Sequence, residues 1–192
     1  MKRRMCSSVV LPLGLGYAVL WAQAPVTSPH LDSGSAKMMK SADTSFAIRA
    51  AQTGFAEIEL GKLAVARAAS ADVKAFAQQM IDDYTRANDQ LRLTAQKQAM
   101  TLPASFDSHD QSAYAKLHNL TGVAFDKAYM KAMTKDHHED VEEFHKEATA
   151  GKDPYIKSFA AETLPVLESH LERAKSLDST LTAASRNAAS PR

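Results

Sequence analysis

Apolar side chains in this chain recur three and four positions apart over four long stretches, and this spacing constrains the fold more than any other feature. The first stretch runs from about Asp43 to Ala69. Asp43 is placed to cap its start, and Ala47, Ala51, Phe55, Ile58 and Val65 fall near one face. The second follows Ser70, a good N-cap, and reaches about Gln98, with a stripe of Val73, Phe76, Ala77, Met80, Tyr84, Ala87, Leu91 and Ala95. The third, Gly122 to Ala150, carries Phe125, Tyr129, Met133, His137, Val141, Phe144 and Ala148. The fourth opens at Asp153-Pro154 and carries Ile156, Phe159, Ala160, Thr163, Leu167, His170, Ala174, Leu177 and Leu181.

Each helix has one apolar face to bury. The links between first and second, and between third and fourth, are short, so the stretches pair as two antiparallel hairpins. Thr101-Leu102-Pro103 reads as a loop, and a shorter helix from about Asp107 to Asn119 bridges the halves. The expected fold is all-α: an up-and-down four-helix bundle over residues 42–181. Gly151 is placed to end the third helix in the left-handed conformation. Pro165 lies inside the fourth helix, where it removes a backbone bond and is expected to bend it. There is also an internal echo, Val73-Lys74-Ala75-Phe76-Ala77 against Ile156-Lys157-Ser158-Phe159-Ala160. Duplication, or convergence on one kind of helix start, would produce it.

The N-terminus reads differently. Met1-Lys2-Arg3-Arg4, an apolar run from Val9 to Trp21 and then Ala22-Gln23-Ala24 form the three parts of an export signal. The run is short for a membrane span, which needs roughly 20 residues. Pro25 directly after Ala24 is expected to hinder cleavage there. Residues 1–24 are thus either a cleaved signal or an N-terminal anchor, and an uncleaved N-terminus would attach the protein to a membrane. Residues 25–41 read as a flexible linker and 182–192 as a frayed tail. The chain is therefore expected to be exported.

Basic and acidic residues nearly cancel, 23 against 22, with no Lys/Arg cluster beyond the first residues. That removes the electrostatic case for nucleic acid. The one cysteine, Cys6, lies in the export segment, so the folded part has no thiol nucleophile or zinc-thiolate site.

Several stretches carry a resemblance. They are Ala56-Glu57-Ile58-Glu59-Leu60-Gly61-Lys62-Leu63-Ala64, Val73 to Asp83, Leu102-Pro103 with Ser105, Phe125-Asp126-Lys127-Ala128-Tyr129, Asp136-His137, Gly151-Lys152-Asp153, Phe159-Ala160 and Leu164-Pro165-x-Leu167-x-x-His170-Leu171. Through them the chain resembles the bacterial domain-of-unknown-function 4142 family, grouped with the ferritin-like helical bundles. The resemblance runs from about Ala42 to Leu177. It implies export to the periplasm or envelope of a bacterium and a helical fold, and no defined activity. Similar proteins usually carry histidine where this chain has Tyr84.

Glu57, Tyr84, His137 and His170 each lie near the middle of one long helix, so they are expected to meet in one buried layer. Glu57, His137 and His170, with Tyr84 adjacent, make a candidate site for zinc, iron or copper. The rival reading is a hydrogen-bonded network that fixes register. Di-iron chemistry requires two Glu-x-x-His motifs, and only Glu142 to His145 supplies one. His138, Glu142 and His145 share one helical face, which reads as solvated. Two functional readings follow: a non-enzymatic binding, structural or stress-related envelope component, or a metal-binding or redox bundle. An envelope protein partner or a second copy is the remaining possibility for a partner.

Overall fold

The computed structural model describes the backbone over residues 33–189 and the side chains over 42–187. The export segment and the first part of the linker lie outside the described residues. Five α helices make up the fold: α1 (Ser33–Arg67), α2 (Ala71–Lys97), α3 (Ser108–His118), α4 (Gly122–Ala150) and α5 (Pro154–Ala189). Among the described residues there is no strand. No helix there is long and apolar enough to cross a membrane.

The main packing is α1 along α2 and α4 along α5, and the pairs meet mainly through α2 on α5 and α1 on α4. Ser70 caps α2, its hydroxyl accepting from the Val73 N–H. Asp153 caps α5, taking the N–H groups of Tyr155 and Ile156 at 2.9 and 3.1 Å. Asp107 caps the short α3. The α2, α4 and α5 stripes are buried largely as their periodicity predicts.

The differences have local causes. Helix α1 starts at Ser33, well ahead of Asp43, and so takes in part of the stretch read as a linker. Ala36-Lys37-Met38-Met39-Lys40 are good helix formers with no proline among them. Helix α5 likewise runs through Ala183 and Ala184 to Ala189, where a frayed tail is expected. The buried seam of α1 is Phe46, Ala47, Ala51, Leu60, Leu63 and Ala64, whereas Val65 is 37% exposed. That seam keeps closer to a 3.5-residue repeat and leaves Val65 one position outside it.

Gly151 is not left-handed: its φ is −54°. Its lack of a side chain matters for another reason, since a Cβ there would meet the Glu147 carbonyl oxygen at 2.6 Å. Pro165 sits within an unbroken α5.

Asp43 does not cap its own helix. Buried at 3% exposure, it accepts from the backbone N–H groups of Lys152 and Asp153 in the α4–α5 turn, the latter at 2.6 Å. Asp126 on α4 does the same in return, accepting from Ala69 and Ser70 in the α1–α2 turn at 3.0 and 2.9 Å. Each hairpin's first helix thus ties down the other hairpin's turn. These are charge-assisted bonds, each contributing about 1.5–3 kcal/mol.

Candidate metal centre and adjoining acidic cleft

Buried seams on α4 and α5 bring His137 and His170 inward, at 0% and 1% exposure. The His137 Nδ1 lies 2.9 Å from the Met133 carbonyl oxygen, one turn back on the same helix. A carbonyl can only accept, so Nδ1 carries the proton and Nε2 the lone pair. Burial, and then the neighbouring His170, push the His137 pKa down to about 3, so the ring is neutral. The Tyr84 hydroxyl lies 3.3 Å from its Nε2.

His170 is oriented from another helix. Its Nε2 lies 2.8 Å from Asp83 Oδ2, and the carboxylate accepts. Nδ1 is buried without a hydrogen-bond partner. Burial lowers the His170 pKa against the opposing pull of Asp83, which leaves the ring neutral and Nδ1 as a bare lone pair. The two imidazole centroids are 5.5 Å apart, and the Tyr84 ring is 6.0 Å from each. Burial, followed by Asp140, raises the Tyr84 pKa, so its hydroxyl stays protonated.

That hydroxyl donates its one hydrogen to Asp140 Oδ2 at 3.3 Å and so touches a second region. A cleft of about 180 Å³ opens between α1, the start of α3 and α4. Glu57 enters it from α1, Asp107 and Asp110 from around the start of α3, and Asp136, Asp140 and Glu143 from α4. Glu57 is 2% exposed and its Oε2 has no partner. Burial raises its pKa first, then the charges of Asp140, Asp136 and Asp110. Burial and Asp136 push Asp140 up to about 8. Glu143 is neutralised by Arg49, whose Nε donates at 2.6 Å, and Lys135 lies 3.6 Å from Asp136 at the rim.

Of the residues expected to meet in one layer, Tyr84, His137 and His170 are therefore together. Glu57 faces the cleft instead. Among the described residues, the one group of three such ligand atoms within 4.8 Å of one another is Asp107, His109 and Asp110 at the cleft mouth. The His138–Glu142 pair is exposed, at 3.6 Å. Sequence reasoning missed Asp83, Asp110, Asp136 and Asp140. The last two had a signal, because Asp136, Asp140 and Glu143 repeat at helical spacings of four and three.

Fold and site together define an all-helical protein with a buried imidazole pair and an acidic cleft beside it. The chain belongs to the domain of unknown function family DUF4142, which it matches over residues 28–177. No curated protein and no solved structure matches it.

Proposed function

We propose that the protein is a non-enzymatic component of the bacterial envelope that holds a transition-metal ion on His137 and His170. In this reading the N-terminal segment directs export, and the two hairpins form an up-and-down four-helix bundle of the ferritin-like kind. The observation that carries the metal assignment is the state of the two rings. Both are buried and neutral, and each has one N–H fixed on an oxygen acceptor. Metal-ligating histidines are prepared in this way, with a carbonyl or carboxylate fixing the tautomer and orientation from behind.

Spacing supports the same reading. A metal about 2.1 Å from one nitrogen of each of two imidazoles sets their centroids about 5 Å apart at a tetrahedral angle. The separation here is 5.5 Å. Imidazole nitrogen suits zinc, copper and iron, and Tyr84 stands next to the pair as a neutral phenol. A network serving only to fix register would satisfy its own members. Here His170 Nδ1 and the Tyr129 hydroxyl are buried and unpartnered.

Elemental analysis of the tag-free full-length protein from its native compartment tests the proposal. The expected result is about one zinc, copper or iron per chain, lost in H137A/H170A. Substoichiometric metal, unchanged by that double substitution, would rule it out. An intact mass beginning at Met1 would show that the signal is retained as an anchor.

A further inference from the structure

The acidic cleft is not used by the imidazole pair, and its chemistry is different. Its lining is rich in carboxylates, among them Glu57, Asp110, Asp136 and Asp140, with His109 3.6 Å from Asp110. These four come from three helices well separated in sequence, so the fold, and no local run of acidic residues, brings them together. Cations pair with some of the cleft's carboxylates, Arg49 with Glu143 and Lys135 with Glu139 and Asp136. No salt bridge reaches Glu57 or Asp140 among the described residues.

Glu57 supplies the independent indication of a ligand. It is 98% removed from solvent, at 2% exposure, and its Oε2 has no hydrogen-bond partner. A buried carboxylate oxygen left unpaired beside other carboxylates is destabilising unless something positive meets it. Among the described residues no basic side chain does so.

We propose that this cleft binds a hydrated divalent cation of the calcium or magnesium class, whose water shell Glu57, Asp110, Asp136 and Asp140 hold, since no three of these residues bring oxygens within 4.8 Å of one another. Hard cations take carboxylate and water oxygens, with six to eight ligands around calcium. A cleft of about 180 Å³ that opens to solvent supplies both kinds. The imidazole pair lies on the far side of the Tyr84 hydroxyl and offers the nitrogen ligands that softer metals prefer. The chain would then separate two classes of metal by donor type.

Calorimetric titration of chelator-stripped full-length protein with Ca²⁺, then Mg²⁺, tests the site. One Ca²⁺ or Mg²⁺ is expected per chain, with affinity at least about tenfold weaker in E57Q/D140N. H137A/H170A should bind it unchanged, which separates this site from the transition-metal site. Thermal melts give a second readout. In chelator at a pH above about 8, where Asp140 is ionised, the E57Q/D140N variant should melt above wild type, because repulsion is relieved. Saturating Ca²⁺ should raise wild type alone and close or reverse that gap. Failure of wild type to bind either ion, or binding unaltered in E57Q/D140N, overturns the proposal. If the double variant does not fold, E57Q alone carries the same test.

Discussion

The first hairpin (α1 and α2) and the second (α4 and α5) can be laid over one another by a shift of 83 positions. Structural parts coincide under that shift. Asp43 falls on Asp126, the cap Ser70 on the cap Asp153, Val73 on Ile156, and Phe76 on Phe159. Even the cleft carboxylates correspond, Glu57 with Asp140. The imidazoles do not: His137 and His170 fall on Gly54 and Ala87. Shared positions hold the scaffold together, while the imidazoles are confined to one hairpin and correspond to small residues in the other. Scaffold and site are thus separable in this chain, and substitutions can address either.

The largest effect is expected at the reciprocal caps. D126A leaves the Ala69 and Ser70 N–H groups without their acceptor and should cost about 3 kcal/mol in urea unfolding. D43A should cost less, because Glu147 lies beside Asp43 and losing that neighbour relieves it. Equal losses would mean that the correspondence between the two caps is complete and that Glu147 has no effect.

Next comes Gly151, whose counterpart under the shift is Ala68. G151A drives a methyl into the Glu147 carbonyl oxygen, which the helix holds in place, and should cost about 1–3 kcal/mol. A68G should cost about 0.5–1 kcal/mol, an effect of backbone freedom. A tolerated G151A would show that the α4–α5 turn is looser than the packing implies.

The pH profile sharpens the contrast further. Burial and Asp43 push Glu147 from 4.5 up to about 7, whereas its counterpart is Ala64. Between those values the folded state keeps a proton that the unfolded chain releases. Its contribution is full below about pH 4.5 and is lost as pH rises through 7, with a slope of at most about 1.4 kcal/mol per pH unit. E147Q should flatten that limb. His137, depressed from 6.5 to about 3, acts in the opposite sense: stability falls as pH drops from 6.5 toward 3. H137Q should flatten the acid limb and leave the other. Urea midpoints from pH 3 to 9 read both.

Helix identity and the inward stripes of α2, α4 and α5 were legible in the sequence because amphipathic periodicity and burial are the same fact viewed twice. Ser70 and Asp153 were legible as caps because capping is local. Asp43 was misread for the converse reason: its partners, Lys152 and Asp153, are distant in sequence, and no local pattern points to them. The His137–His170–Tyr84 grouping followed from placing helix midpoints at one level. Glu57 was drawn into that layer by the same argument, yet residues at one level can face different sides of a helix, and Glu57 faces α3 and α4 across the cleft. Asp83 was missed because its role depends on which side of α2 meets α5, a matter of packing between helices.

Electron paramagnetic resonance of the full-length protein loaded with one equivalent of Cu²⁺ tests the central claim most directly, because the spectrum counts the nitrogens on the metal. The account predicts coupling to two imidazole nitrogens in wild type and to one in H137A or H170A. D83N should weaken copper affinity about 10–100-fold through the loosened His170 ring. A wild-type spectrum with one nitrogen or none, or one unchanged by either histidine substitution, would contradict it.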